Sequence, residues 1–243
     1  MNGKDLKYDA RQLMRDYSPK VFLVAVIFLI LNTIMGHLQI NLLGTADVYA
    51  RYMQLYSAAQ SPYLISSNPV NPLSFFRPSG IPFALALSLF TSMINIGYRS
   101  YCLLVSRKSE ADYKNLFDGF MFFGKAVILD FLINILVILW TALLVVPGII
   151  ASYNYRMAYY ILLDDPSKSA LQCIRESKQL MRGYKSDLFI IDLSFIGWSL
   201  LDAVVIFAIP TSFPLPLVSI WLTPYIHITE ASFYNRLIYS LTV

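Results

Sequence analysis

Long apolar runs separated by short polar blocks set the pattern of this chain. The first run opens at Val21 with VFLVAVIFLILNTIM and reaches about Leu42 without a charge. Others extend from Ile81 to about Val105, Ala126 to Val146, Ile149 to about Leu163, Leu188 to Ile209, and Pro216 to about Tyr239. A helix needs roughly 20 apolar residues to cross a ~30 Å hydrocarbon core, and these six segments meet or approach that length. The many ~10-residue alternating segments of a membrane barrel do not occur. The pattern predicts an all-α fold, a polytopic bundle of six transmembrane helices forming a single domain over residues 1–243.

The third and fourth runs touch each other. As one helix, Ala126 to Leu163 would be about 57 Å long, nearly twice the membrane core. Pro147-Gly148 lies near its middle. Proline removes a helical donor and glycine permits a reversal, so a hairpin turning there is expected. Charge gives the same answer. Arg99, Arg107, Lys108, Lys114 and Lys125 precede the pair; Lys168, Arg175, Lys178, Arg182 and Lys185 follow it. Basic flanks favour the cytosol, and an even number of crossings must separate the two blocks. Residues 1–20 carry five more basic residues, whereas the segment 44–80 carries only Arg51 and Arg77. Both termini are therefore predicted cytosolic, with 44–80 as an outer loop. The first span starts too late and runs too long for a cleaved secretory signal.

Three polar stretches carry helical stripes. Asp165-Pro166-Ser167 offers a cap and a first-turn proline, and Gly183 a stop, for a helix inside 164–186. Ala170, Cys173, Ile174, Ser177, Leu180 and Met181 share one side of it. Lys168, Arg175, Lys178 and Arg182 form a neighbouring stripe suited to lipid headgroups. Such a stripe also serves simply as a topology-setting connector. Within 106–125, Tyr113, Leu116, Phe117, Phe120 and Met121 oppose Asp112, Asn115 and Asp118. In 1–20, Leu6, Ala10, Leu13 and Tyr17 suggest a third such helix, stopped by Pro19. All three are predicted to be cytosolic, amphipathic and interfacial.

Composition narrows the function. Only 14% of the 243 residues are charged against 57% hydrophobic, which excludes an ordinary soluble domain and a disordered chain. Two cysteines, Cys102 and Cys173, cannot make a disulfide scaffold. No HExxH, CxxC, GxSxG or GxxxxGK[ST] motif occurs. GFMFFGKA, from Gly119, resembles the last but ends in Ala126 where a hydroxyl is required. Neither a metal, a cofactor nor an enzymatic activity is expected. The net charge of +4 is accounted for by basic flanks, so nucleic acid is not an expected partner. Membrane lipids, anionic ones in particular, and a membrane protein partner are.

Ionisable residues inside apolar spans are costly and mark candidate sites. Arg99, Asp130, Arg156, Asp192 and Glu230 all fall in what the predicted topology makes the cytosolic half. Two readings stay open. The cluster lines a polar cavity for a headgroup, an ion or a proton, or it pairs internally and holds helices together. Asp202 lies nearer the outer half with no evident partner, and His227 reads as a packed side chain. Gly97, Gly197 and Ser199 permit close helix contact, and Pro224 is expected to kink the last span.

LLVVPGIIASYNYRMAYYILLDDP, followed by SALQCIRESKQLMRGYKSDLF and IDLSFIGWSLL, resembles the integral membrane family known as domain of unknown function 975. GYRSYCLLVSR, KNLFDGF and WLTPYIHITEASFYNRL fit the same pattern, so the likeness runs strongly from Gly97 to Leu237 and more loosely over 1–43. The VPGI pattern, Arg156, and a helix bearing Ala170 and Ser177 are also similar to the membrane domain attached to some glycerophosphodiester phosphodiesterases. Catalysis there belongs to a separate soluble domain. With the chain ending at Val243, just past the last predicted span, no such domain is expected. The resemblance implies a bacterial plasma-membrane protein without an established activity. The leading expectation is a non-enzymatic module that binds lipid or assembles or regulates a membrane partner. A small carrier using the polar cluster is the alternative.

Overall fold

A computed structural model describes residues 3–43, 78–208 and 217–242; these form helices joined by short turns, with no strand among them. In chain order the elements are α1 (Gly3–Asp16), α2 (Lys20–Leu43), α3 (Ile81–Ser106), a 3-10 helix (Tyr113–Phe120), α4 (Phe123–Leu143), α5 (Val145–Tyr155), α6 (Ala158–Asp164), α7 (Ala170–Leu180), α8 (Lys185–Ala208) and α9 (Ser219–Thr242). Among the described residues α2, α3 and α4 are long and apolar enough to cross a membrane. The predicted outer loop falls mostly outside the described residues, as does the proline-rich link Pro210–Pro216.

The chain divides into two compact units, Met1–Ile30 with Ser92–Val243, and Leu31–Thr91. In the smaller unit the Gln39 side-chain amide donates to the Ala84 carbonyl at 3.1 Å. A Cβ on Gly80 would lie 2.1 Å from the Leu42 carbonyl oxygen, so only glycine fits there. Everything below concerns the larger unit.

Outward side chains of α4 and α8 are large and apolar: Ile128, Phe131, Ile138, Phe189, Ile190 and Leu193 are all exposed. A continuous apolar exterior of this kind needs an apolar surround, as a membrane supplies. The inward side is dense, with Tyr98, Tyr101, Tyr160, Phe233 and Tyr234 nearly or fully buried.

The hairpin of the third and fourth runs is present, but it turns earlier than predicted. Leu144 is extended (φ −159°, ψ 142°) and separates α4 from α5. Pro147 is the third residue of α5, inside its first turn, where its missing N–H costs nothing. Gly148 has a different task. A Cβ there would meet Thr141 Cα at 2.8 Å, so glycine lets the two arms touch.

The returning arm is not one helix. It breaks at Arg156-Met157, between α5 and α6. The following turn also departs from the prediction. Asp165 does not cap α7; it accepts from the Ser167 N–H at 3.1 Å and from the Ser167 hydroxyl, closing a tight turn. Those bonds hold its carboxyl below the usual range. Ser169 is the cap, its hydroxyl accepting from the Gln172 N–H at 3.3 Å. α7 ends at Leu180, and Gly183, at φ +88°, turns the chain toward α8.

On α7, Ala170, Cys173, Ile174, Ser177 and the adjoining Met181 are buried inside the protein, and the Ser177 hydroxyl donates to the Asn154 carbonyl at 2.7 Å. On α1 the buried side is Leu6, Ala10, Leu13 and Met14. In both helices the apolar stripe is spent on protein rather than lipid. The third predicted helix is a 3-10 helix of eight residues. Leu116 is buried, but Tyr113, Phe117 and Met121 point outward. Asp112 and Asn115 cap it reciprocally, and Asp118 accepts from Ser100 on α3 at 2.6 Å. Glycine brings it that close: a Cβ on Gly97 would lie 1.9 Å from the Leu116 carbonyl oxygen.

Candidate functional site

Four of the five predicted residues form one chain of ion pairs. Glu230, on α9, is 2% exposed at its side chain. Its Oε1 accepts from Arg156 Nε at 2.8 Å and from Arg99 Nη1 at 3.3 Å. Arg156 Nη1 reaches Asp192 on α8 in turn, and the Tyr153 hydroxyl donates to the same Asp192 oxygen at 2.8 Å. The order is Arg99, Glu230, Arg156, Asp192, drawn from α3, α9, the α5–α6 break and α8.

Arg156 serves two carboxylates from the C-terminal cap of α5. It keeps helical dihedrals (φ −63°, ψ −35°), and its planar guanidinium spans partners on separate helices. Tyrosines complete the surround. The Arg99 guanidinium lies 4.7 Å from the Tyr159 ring centroid and 5.8 Å from that of Tyr160. Arg156 is 5.8 Å from that of Tyr153. Cation–π contact of this kind is strongest where water is scarce.

Asp130 joins the group differently. It accepts from the Tyr159 hydroxyl at 2.8 Å, so the link to Arg99 passes through an aromatic ring. His227 packs edge-on to Tyr98 at 5.2 Å, with Nδ1 3.8 Å from Glu230 Oε2. It is packed, but Nδ1 makes no hydrogen bond among the described residues, where a hydrogen-bonded side chain was expected.

Asp202 has a structural explanation. It is 7% exposed, and its carboxylate accepts from the Val218 N–H at 3.1 Å and from the Ser219 hydroxyl at 2.5 Å. It caps α9 from α8, satisfying donors that a helix start leaves open. Asp202→Ala is expected to lower stability by about 1–2 kcal/mol, with faster amide exchange confined to the first turn of α9; exchange unchanged in that turn would count against the cap.

Sequence reasoning missed a second network. Arg107, just past α3, forks onto Asp164 at the end of α6 with bonds of 2.6 and 2.8 Å. The Tyr234 hydroxyl donates to Asp164 at 2.9 Å, and Arg107 Nε donates to the Asn235 side-chain Oδ1 at 3.0 Å. Of the basic stripe on and before α7, Lys168 is engaged by Glu176 at 2.7 Å, which holds its ammonium above the usual range. Arg175, Lys178 and Arg182 are exposed.

Arg156, Asp192, Glu230, Asp164 and Tyr234 thus belong to one stretch of chain, α5 to α9. Residues 141–240 match a family described as protein of unknown function, DUF975. The DUF975 segment contributes three members of the ion-pair chain, while Arg99 and Asp130 lie before it. It also holds both arms of the α8–α9 pair that Asp202 caps. No curated protein and no solved structure matches the chain.

Proposed function

We propose that this chain is a multi-pass membrane protein that works by binding a lipid or a membrane partner, without catalysis or transport of its own. The observation behind this reading is the chain of ion pairs around Glu230. A carrier needs a polar cavity open to one side, with donors left over for its cargo. Here both guanidiniums converge on Oε1 of a carboxylate that is 2% exposed, leaving Oε2 without a hydrogen bond among the described residues, and the charges hold α3, α8, α9 and the α5–α6 break together. Six crossings with both termini in the cytosol remain the topology that the basic blocks favour. A bacterial plasma membrane is the setting that the family resemblance implies. In that frame α1 and α7 sit at the cytosolic face, and the exposed Arg175, Lys178 and Arg182 meet lipid headgroups.

Native mass spectrometry of protein extracted in mild detergent tests the reading. A lipid, peptide or protein retained in whole-number stoichiometry is the expected result. A monomer emerging empty under conditions that preserve its fold would overturn it.

A further inference from the structure

α1 sorts its charges to two sides. Asp9 and Asp16 line one cup with Ser232, Asn235 and Arg236. Arg11 and Arg15 line another, of about 420 Å³, with Met14, Ser18, Phe22 and Trp221. Among the described residues no carboxylate lines this second cup. Arginines four apart on one helix face repel each other, so the arrangement weakens α1 unless something negative lies between them.

Arg11 is held in place for such a group. Its Nε donates to the Tyr225 hydroxyl at 3.0 Å, and its guanidinium lies 5.6 Å from that ring's centroid. The ring and hydroxyl fix the guanidinium plane. The two terminal nitrogens have no hydrogen-bond partner among the described residues, and Arg15 makes no ion pair among them. A pre-oriented fork beside a second guanidinium suits a phosphate, which accepts two parallel N–H bonds from an arginine.

Two aromatic side chains complete the lining. Phe22 stands in the first turn of α2, and Trp221 near the start of α9 packs against Trp198 at 5.5 Å and Tyr225 at 5.1 Å. An inorganic anion has no use for these rings. A phosphate carrying hydrocarbon does, and tryptophan favours the boundary between headgroups and acyl chains. α1 runs through Ser18-Pro19 directly into the apolar α2, so the arginines lie just before a segment able to enter a membrane.

We infer that the cup formed by Arg11, Arg15, Phe22 and Trp221 binds an anionic phospholipid, its phosphate on the guanidiniums and its upper acyl chain along the aromatic side chains. This assignment rests on the binding function proposed above and names its ligand class and site. The test compares phosphatidylglycerol with phosphatidylcholine retained by the full chain in native mass spectrometry, with inorganic phosphate and glycerol 3-phosphate as soluble competitors. The wild type should prefer phosphatidylglycerol, and Arg11→Gln/Arg15→Gln should lose at least tenfold of that preference. Arg11→Lys/Arg15→Lys, which keeps the charge without the fork, should lose part of it, and Lys114→Gln none. Thermal unfolding of each variant confirms the fold; if the glutamine pair unfolds, the lysine pair carries the comparison. Undiminished preference in the variants overturns the cup and leaves the binding function standing. Equal displacement by inorganic phosphate overturns the lipid assignment in favour of a soluble anion. A wild type that keeps a protein partner but no lipid overturns the cup alone, and an empty wild type overturns both.

Discussion

Glu230→Gln is expected to be the most damaging single conservative change in the larger unit. The amide keeps the shape of the side chain but removes the only carboxylate that Arg99 contacts among the described residues, and it leaves Arg156 with Asp192 alone. Removing one partner from a buried ion pair costs about 3–5 kcal/mol, and the part-exposed Arg99 and the Asp192 that Arg156 keeps put this loss toward the lower end. The unfolding midpoint of the detergent-solubilised protein and the yield of folded material should both fall sharply. Asp130→Asn is the matched comparison. Its oxygen accepts one tyrosine hydroxyl, which an amide oxygen also accepts, so the loss should stay below about 1 kcal/mol. Similar midpoints for the two variants would refute the structural role given to the ion-pair chain.

Gly97→Ala is the second large effect. The added methyl would stand 1.9 Å from the Leu116 carbonyl oxygen and 2.4 Å from its carbon. Both are backbone atoms of a capped 3-10 helix, which no rotamer change can move aside. A cost of about 3 kcal/mol follows, the upper part of the range for overpacking a close contact. Gly197→Ala supplies the contrast on the same measurement. Nothing lies within 4 Å of its would-be Cβ, and it sits inside α8, so alanine should be neutral or add about 0.5–1 kcal/mol of helix stability. Equal destabilisation by the two substitutions would show that the 3-10 helix does not bear on α3 as closely as described.

The polar cluster was legible because charge is rare in apolar runs. Any Arg, Asp or Glu there must find a partner, so Arg99, Arg156, Asp192 and Glu230 could be named together before their contacts were known. Which partner each takes was not legible. Asp130 looked as ready for a cation as Asp192, yet it meets a tyrosine hydroxyl. Asp202 looked orphaned because its partners are the Val218 N–H and the Ser219 hydroxyl at a helix start, and the sequence around Pro210 to Pro216 hides where that helix begins. Arg107 and Asp164 escaped notice for the opposite reason. They lie at helix ends, where charges are ordinary, and nothing in their neighbours marks a long-range pair.

Helix existence was also easier to read than helix ends. Pro147 signals a boundary, but proline is welcome in a first turn, so the turn itself falls at Leu144. Asp165-Pro166 has the composition of a helix start and makes a separate turn, leaving the cap to Ser169. The stripes of α1 and α7 have the spacing of membrane-surface helices, but an apolar stripe reads the same whether lipid or protein covers it. Only packing distinguishes the two, and here protein covers both.

The position of Arg156 at the α5–α6 break has a consequence for how the chain is made. Its two carboxylates lie 36 and 74 residues downstream. During synthesis Arg156 emerges before either carboxylate, meets Asp192 once α8 is made, and gains Glu230 only with α9. The site is therefore the last part of the molecule to close. A ribosome-bound chain stopped before α9 holds Arg156 with Asp192 alone and Arg99 without its carboxylate, and completion of the final helix supplies Glu230 to both.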